Sequence, residues 1–368
     1  MNKKRILHLT NSAVKSNFLL SIAKLHDKAK YDLVIGTLEG KGELHQELEK
    51  LNTPHISFNL KDERLGFLKI FNSIIYLKKN KIDILHVHTF WASLYGGIAG
   101  KLAGIKVVMT RHHADLHSRD DKKIHVKIDA FTAKMVDKAI AVSNFTKSIM
   151  TNVEKVPGNH IEVIYNGLEE LPSSQLNRNV FLEKLNINAS SNILLCISRL
   201  HPEKNIETII DAIKILNRND VHLLVAGSGI NNKHHDFLIK KLKENSLEKN
   251  IHFLGFRNDI KELMQIANVI IHPSLSESFG FVIAEAMQQK TPIIASEIPA
   301  LIEVATTKAA FFFQKKDTKK LGHLIEHVLS QQGSTSLTKR LNFGYKRYQE
   351  NFTFEQMMKK YEKVYENI

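Results

Sequence analysis

A chain of 368 residues, 43% of them hydrophobic and only 7 of them Pro, is too long for one small domain and apolar enough to build two cores of ordinary size. Its single cysteine, Cys196, excludes an intrachain disulfide framework or cysteine zinc site, and its place in the apolar run 193–197 predicts a buried, inert thiol. The net charge of +14 is concentrated in residues 1–30 (seven Lys/Arg against Asp27) and 61–81 (six against Asp62 and Glu63), which points to a polyanionic partner: anionic lipid, lipid-linked phosphate or nucleic acid.

The N-terminus, MNKKRILHLT, has too short an apolar run for a signal peptide, and no run approaches the roughly 20 residues needed to span a bilayer. A cytoplasmic protein, soluble or peripherally attached to a membrane, is expected. Strands are predicted at 5–10, 31–37, 55–59, 82–88, 105–110, 138–143 and 161–166, with helices such as 42–51, 66–79, 91–102 and 124–136 between them. That alternation predicts an α/β, doubly wound parallel sheet.

Residues 167–190 lose the strand rhythm and gather Pro172, Ser173, Ser174 and several Asn, the composition of a linker. A second alternating series follows, with strands at 192–198, 221–226, 251–254, 269–272 and 292–296 and helices at 206–216, 236–245 and 259–267. Ile206, Ile209, Ile210 and Ile213 share one helical face, and Asp259 with Glu262 three residues on reads as a capping pair. The expected organisation is a first domain at 1–170, a linker at 171–190, a second domain at 191–345 and a final helical segment at 346–368. Two such domains place a cleft between the carboxyl ends of their sheets.

Chemistry-bearing residues concentrate in the second series. Glu277 and Glu285 are eight residues apart, about 12 Å along the axis if one continuous helix carried both, so they could grip two ends of an extended ligand. Between them the backbone N–H groups of Phe279, Gly280 and Phe281 open a helix that attracts phosphate, and Gly280 permits close approach. A solvated surface helix explains the two Glu equally well. Arg199 and Lys204, after the strand at 192–198, suit a diphosphate, although loop cations are usually just solvated. Gly227, in Ala-Gly-Ser-Gly after the next strand, fits a phosphate loop or a tight structural turn. No Asp-x-Asp, Ser-His-Asp or zinc-ligand spacing stands out, so neither a metal nor a cofactor is expected.

The stretch 269–296, VIIHPSLSESFGFVIAEAMQQKTPIIAS, resembles the donor-site segment of the retaining glycosyltransferases of family 4, with Glu, seven residues and Glu around a Phe-Gly. SRLHPEKN at 198–205 resembles the family's Arg-Leu, gap, Glu-Lys motif, and FLGFR at 253–257, containing Phe256, resembles the segment whose backbone brackets the nucleotide base. In the first domain DILHVH and VVMTRH resemble the family as well. His112 aligns with a His that reaches the donor sugar's hydroxyls, with His113 and Asp115 as neighbouring alternatives. Asn166-Gly167 matches an Asn-Gly at the end of that domain, where a simple turn is an equal explanation. The final FTFEQMMKKYEKVY resembles the helix that returns to the first domain. Two departures stand out. Lys290 occupies a position where the family has Gly, and the loop after the first strand, with Asn11, Ser12 and Ala13, lacks the usual Gly-Gly near donor and acceptor.

The resemblance implies a GT-B fold of two Rossmann-like domains. It implies retaining transfer of a sugar from a UDP- or GDP-sugar to a glycan or lipid-linked acceptor, as in bacterial surface polysaccharide or lipopolysaccharide synthesis. In that scheme Arg199 and Lys204 stabilise the leaving diphosphate without metal, Glu277 holds the sugar, Glu285 the ribose and His112 the sugar hydroxyls, while Asn11, Ser12 and Asn166 lie toward the acceptor. Rival readings are a nucleotide-sugar epimerase or hydrolase, a non-catalytic partner subunit, and a basic nucleic-acid-binding protein. The last is disfavoured because the basic segments carry Ile, Leu and Phe at helical spacing rather than stacking aromatics, and no nucleic-acid partner is expected. The apolar face of 65–81 (Phe67, Ile70, Phe71, Ile74, Ile75, Leu77), edged by Lys69, Lys78, Lys79 and Lys81, is expected to join residues 1–30 in contacting an anionic membrane.

Overall fold

A computed structural model describes residues 3–59, 66–114, 122–169, 177–229 and 232–368. Asp115, the Pro172, Ser173 and Ser174 of the expected linker, and the side chains of Phe67 and Lys69 lie outside the described residues. The chain forms two units, Met1–Glu169 with Thr353–Ile368, and Glu170–Phe352.

The first unit runs β1 (Lys4–Thr10), α1 (Asn17–Leu25), β2 (Tyr31–Thr37), α2 (Glu43–Lys50), β3 (His55–Ser57), α3 (Gly66–Lys79), β4 (Ile84–His88), α4 (Phe90–Ala103), β5 (Lys106–Arg111), α5 (Lys122–Met135), β6 (Lys138–Ala141), α6 (Asn144–Asn152) and β7 (Ile161–Val163). The second runs α7 (Arg178–Glu183), β8 (Asn192–Ile197), α8 (Ile206–Leu216), β9 (Val221–Ala226), α9 (Asn232–Glu244), β10 (Ile251–Gly255), α10 (Ile260–Ile266), β11 (Val269–His272), α11 (Phe281–Gln288), β12 (Ile293–Ser296), α12 (Pro299–Ala309), β13 (Phe311–Phe313), α13 (Thr318–Ser330) and α14 (Thr335–Asn351). A last helix, α15 (Phe354–Glu366), belongs to the first unit.

Both sheets are parallel and doubly wound, in the orders β3-β2-β1-β4-β5-β6-β7 and β10-β9-β8-β11-β12-β13. Their apolar strands cover both faces, as a parallel sheet requires. On β1, Ile6 joins a core with α1, α2 and α15, while Leu7 and Leu9 join the opposite core with α3 to α6, following the period-2 alternation of a strand. In the second unit Ile206, Ile209, Ile210 and Ile213 are all buried against the sheet, and Cys196 is buried among the same residues, its thiol pushed up to about 11 by burial.

Three local expectations change. Asp259 does not cap α10 with its side chain, because Arg257 takes the carboxylate with both arms of its guanidinium, Nε to Oδ1 at 2.8 Å, and a charge-assisted fork outcompetes a single backbone N–H. The return to the first unit begins at Thr353 rather than at residue 346, because α14 carries Tyr348 into the second core, where its hydroxyl accepts from Gln288 Nε2 at 2.6 Å. The two basic segments lie against opposite faces of the first sheet, α1 in one core and α3 in the other. Several N-terminal cations are also locally engaged: Lys3 with Asp32, Lys24 with Glu169, and Lys30 with Glu362.

Lys290 does adopt the left-handed conformation, at φ 53, and its ammonium stands 4.7 Å from the Tyr345 ring centre, a cation–π contact that a glycine would lack. Gly167 is not a left-handed turn glycine. The chain crosses there: Leu168 pairs with Thr353, Phe354 N donates to Leu168 O at 2.9 Å, and a Cβ on Gly167 would meet Phe354 Cα at 2.6 Å and Thr353 O at 2.8 Å. Those atoms are backbone and cannot yield cheaply, so Gly167→Ala is expected to cost about 1–3 kcal/mol and loosen α15. A lower urea midpoint with faster proteolytic cleavage near 353 checks this; an unchanged midpoint contradicts it.

Candidate functional site

The strand order of the second sheet reverses between β8 and β11, and loops at the carboxyl ends of strands beside such a point are where ligands bind in open α/β sheets. Arg199 and Lys204 follow β8, Gly227 follows β9, Phe256 follows β10, and Glu277 follows β11. All five line one cavity of about 380 Å³, together with His272, Gly280 and Phe281.

The two loops carrying charge are fastened together. Asn205, fully buried and at φ 54, turns the chain into α8 and donates from Nδ2 to Pro273 O at 3.2 Å, while Leu275 N donates to Glu203 O at 2.8 Å. This brings Lys204 Nζ to 2.5 Å from Glu277 Oε1, which also lies 3.0 Å from His272 Nε2. Burial works against the Glu277 charge, but His272 and Lys204 outweigh it and hold the carboxyl at about 2. Arg199 is exposed on the cavity wall. Gly227 owes its identity to contact: at φ 142, a Cβ would sit 1.9 Å from Ser198 O, so the β9 loop lies directly on the end of β8. Phe256 is 75% exposed, a ring face open to a flat partner.

Glu277 and Glu285 do not share a helix. Gly280, at φ 93, starts α11 after Glu277, so Glu277 belongs to the loop and only Glu285 to the helix. Glu285 does not line the cavity, and burial raises its carboxyl to about 7. Phe279 is also off the cavity: its side chain is 1% exposed and packs edge-on against Phe281 and Phe352, because the αL turn at Gly280 rotates it into the core. His272 is the residue the sequence reading missed. A histidine closing a β-branched run immediately before Pro273 was its only signal.

Two family profiles match the chain: Glycosyltransferase Family 4 over residues 16–170 and Glycosyl transferases group 1 over residues 177–350. The chain belongs to the family 4 glycosyltransferases. It is similar to an uncharacterized glycosyltransferase of Methanocaldococcus jannaschii, at 26% identity over 74% of this chain and 70% of that one. It is also similar to the Escherichia coli UDP-Gal:alpha-D-GlcNAc-diphosphoundecaprenol alpha-1,3-galactosyltransferase, at 31% identity over 64% of each chain. The crystal structure of Anabaena HepE in complex with UDP-glucose superposes with a TM-score of 0.86 at 21% identity, covering 99% of this chain and all of that one. The fold of this family 4 member is therefore GT-B.

In its first unit the order reverses between β1 and β4; Asn11 and Ser12 follow β1 at that switch point, His112 and His113 follow the adjacent β5, and Asn166 follows the edge strand β7. His112, following β5, is partly exposed, and its Nε2 lies 3.1 Å from His88 Nδ1. His113 is engaged by Asp129 at 3.0 Å, in a buried group where Arg111 also grips Glu154 with both arms. Asn11 serves the fold: its Oδ1 accepts from Ala92 N at 2.5 Å, capping α4 where Thr89 at φ 63 offers no side-chain cap. Ser12 Oγ accepts from Val14 N at 3.2 Å, a local turn. The loop without glycines packs against Gly42, where a Cβ would meet Ala13 O at 2.8 Å, so the small residue at this approach stands on the opposing segment. Asn166 is buried, its Oδ1 without a hydrogen-bond partner among the described residues.

The raised Glu285 carboxyl has a measurable consequence. Between its unfolded value, near 4.5, and about 7 the folded state holds the extra proton, so rising pH removes stability across that window, by at most about 1.4 kcal/mol per pH unit, and no further above it. Glu285→Gln should gain stability over the parent progressively from pH 5 to 7 and by a constant amount above. A difference in thermal midpoint that does not change with pH contradicts a protonated Glu285.

Proposed function

We propose that this chain transfers a sugar from a nucleoside-diphosphate sugar to a glycan or lipid-linked acceptor with retention of configuration and without a metal ion. The observation that carries the reading is the cavity in which Arg199, Lys204 and Glu277 meet beside Gly227 and Phe256. Breaking the bond from the sugar's anomeric carbon to phosphate leaves charge on the diphosphate, where the two cations of the cavity wall stabilise the transition state more than the ground state. Lys204 changes partner from Glu277 to phosphate, and Glu277, still held by His272, is left to accept from sugar hydroxyls. The acceptor oxygen attacks on the face the diphosphate leaves, and its proton passes to the departing phosphate oxygen. Glu285 is assigned to the ribose and His112 to the sugar hydroxyls. The E. coli relative is named for UDP-Gal and HepE was crystallised with UDP-glucose, which favours a UDP-sugar, and another E. coli relative, 27% identical, is named for O-antigen biosynthesis, which favours surface polysaccharide assembly.

Arg199→Ala and Lys204→Ala should each lower kcat by about 10²–10³, the usual loss of one transition-state donor. Transfer from UDP-sugars, measured by product chromatography, should persist in EDTA. Turnover abolished by EDTA and restored by Mg²⁺ would overturn the metal-free step, and donor consumed at full rate without acceptor would favour a hydrolase or epimerase.

For the lipid-linked acceptor, the reading places the membrane contact on α3 rather than on residues 1–30. Phe71 and Ile75, one turn apart, are 60% and 49% exposed, beside exposed Lys78, Lys79 and Lys81, whereas Leu77 is buried in the core. No helix among the described residues is long and apolar enough to cross a membrane. Surface attachment through apolar side chains and lysines adds about 1 kcal/mol per basic residue near anionic lipid. Lys78, Lys79 and Lys81 changed together to Glu should abolish co-sedimentation with anionic vesicles, while Lys15→Glu with Lys28→Glu should leave it intact. The reverse pattern would return the contact to the N-terminus.

A further inference from the structure

His112 belongs to a longer arrangement, of which it is the partly exposed member. His8 on β1, His86 and His88 on β4, and Tyr361 and Tyr365 on α15 are all buried, and their polar atoms form one unbranched series. Tyr361 Oη lies 3.2 Å from Thr110 Oγ1, which lies 2.7 Å from His86 Nε2. His86 Nδ1 lies 2.5 Å from Tyr365 Oη, and Tyr365 Oη lies 3.3 Å from His8 Nε2. His8 Nδ1 is then 3.0 Å from His88 Nε2, and His88 Nδ1 is 3.1 Å from His112 Nε2. The nitrogens of His8, His86 and His88 lie within 4.8 Å of one another, close enough to suggest a metal site. Yet all six are already hydrogen-bonded in the series, and the rings of His86 and His88 stack at 4.4 Å instead of converging edge-on.

Burial keeps these imidazoles neutral, lowering His8 to about 3, His112 to about 4, and His86 and His88 well below the ordinary histidine value. A neutral imidazole has one N–H and one bare nitrogen, so each link fixes the next and the whole series points one way or the other. Pointing inward, it ends on Tyr361, whose hydroxyl proton would then be buried with no acceptor, since Thr110 is its one hydrogen-bond partner among the described residues. Pointing outward, Tyr361 donates to Thr110, Thr110 to His86, His86 to Tyr365, Tyr365 to His8, His8 to His88 and His88 to His112. Stranding a buried hydroxyl proton disfavours the inward direction by about tenfold or more.

We propose that the tyrosines of the returning helix, acting through His86, His8 and His88, hold His112 in the Nδ1–H tautomer, with Nε2 committed to His88. These are positioning residues. Resting on the reading that His112 serves the donor sugar, the relay gives His112 a proton at Nδ1 instead of a bare nitrogen, so that its second ring nitrogen donates and does not accept. It also ties the state of His112 to the seating of α15, whose Tyr365 forms the longest link.

The test is long-range ¹H–¹⁵N NMR on full-length protein labelled at histidine, with the His112 signals assigned by their loss in His112→Asn. The parent should show His112 protonated at Nδ1 and bare at Nε2; protonation at Nε2 overturns the proposal with no further variant. Tyr365→Phe, or His8→Phe if that folds better, cuts the series and should convert His112 and His88 to mixed tautomers. An unchanged His112 in either folded variant also overturns the proposal. Neither measurement uses a donor or acceptor, so a protein inactive with every nucleotide sugar, yet with His112 protonated at Nδ1, would sink the transferase reading and leave the relay standing.

Discussion

The structure depends on one topological constraint: a parallel sheet whose strand order reverses leaves an open crevice at the carboxyl ends of the two strands where it does so. It happens twice, between β1 and β4 and between β8 and β11. The charged residues of the cavity, Arg199, Lys204 and Glu277, follow β8 and β11 at the second of these points, and Gly227 and Phe256 reach it from the neighbouring strands β9 and β10. The helices are needed to cover the faces of the sheets, which is where most of the apolar side chains are spent.

The surroundings of Glu277 and of His112 handle buried polar groups in opposite ways. Around Glu277 the carboxylate is neutralised by Lys204 and also held by His272 Nε2, a compact set in which the ion pair offsets the desolvation of both its members. Such a set can exchange one anion for another. The first unit keeps one buried charged group, Arg111 with Glu154 and Asp129, but beside His112 it builds a neutral chain of imidazoles and hydroxyls, whose cost of burial is offset only if every donor finds an acceptor. Direction, not charge, is what such a chain can transmit.

Much of the second unit's site was legible because its residues cluster in sequence. Arg199 and Lys204 sit in one loop, and Glu277, Gly280 and Phe281 in another, each after a recognisable strand. What misled were local rules overridden by neighbours. Phe279 looked like part of the helix opening until the left-handed turn at Gly280 sent it inward, and Asp259 looked like a cap until Arg257 took its carboxylate. His272 was hidden because one histidine among 19 carries no mark of its surroundings.

By itself the sequence determined the alternation of strands and helices, the two-unit α/β class and the loops after strands that carry charge, because hydrophobic period and turn residues act over a few positions and need no distant partner. Only the tertiary structure decided which side chains met. It placed the basic segments on opposite faces of one sheet, set Gly167 against the backbone of Phe354, and moved Asn11 to the start of α4. It also gathered His8, His86, His88 and His112 with Tyr361 and Tyr365, residues up to 357 positions apart. Contacts of that span depend on strand order and on the return of the last helix, and no local pattern of residues encodes either.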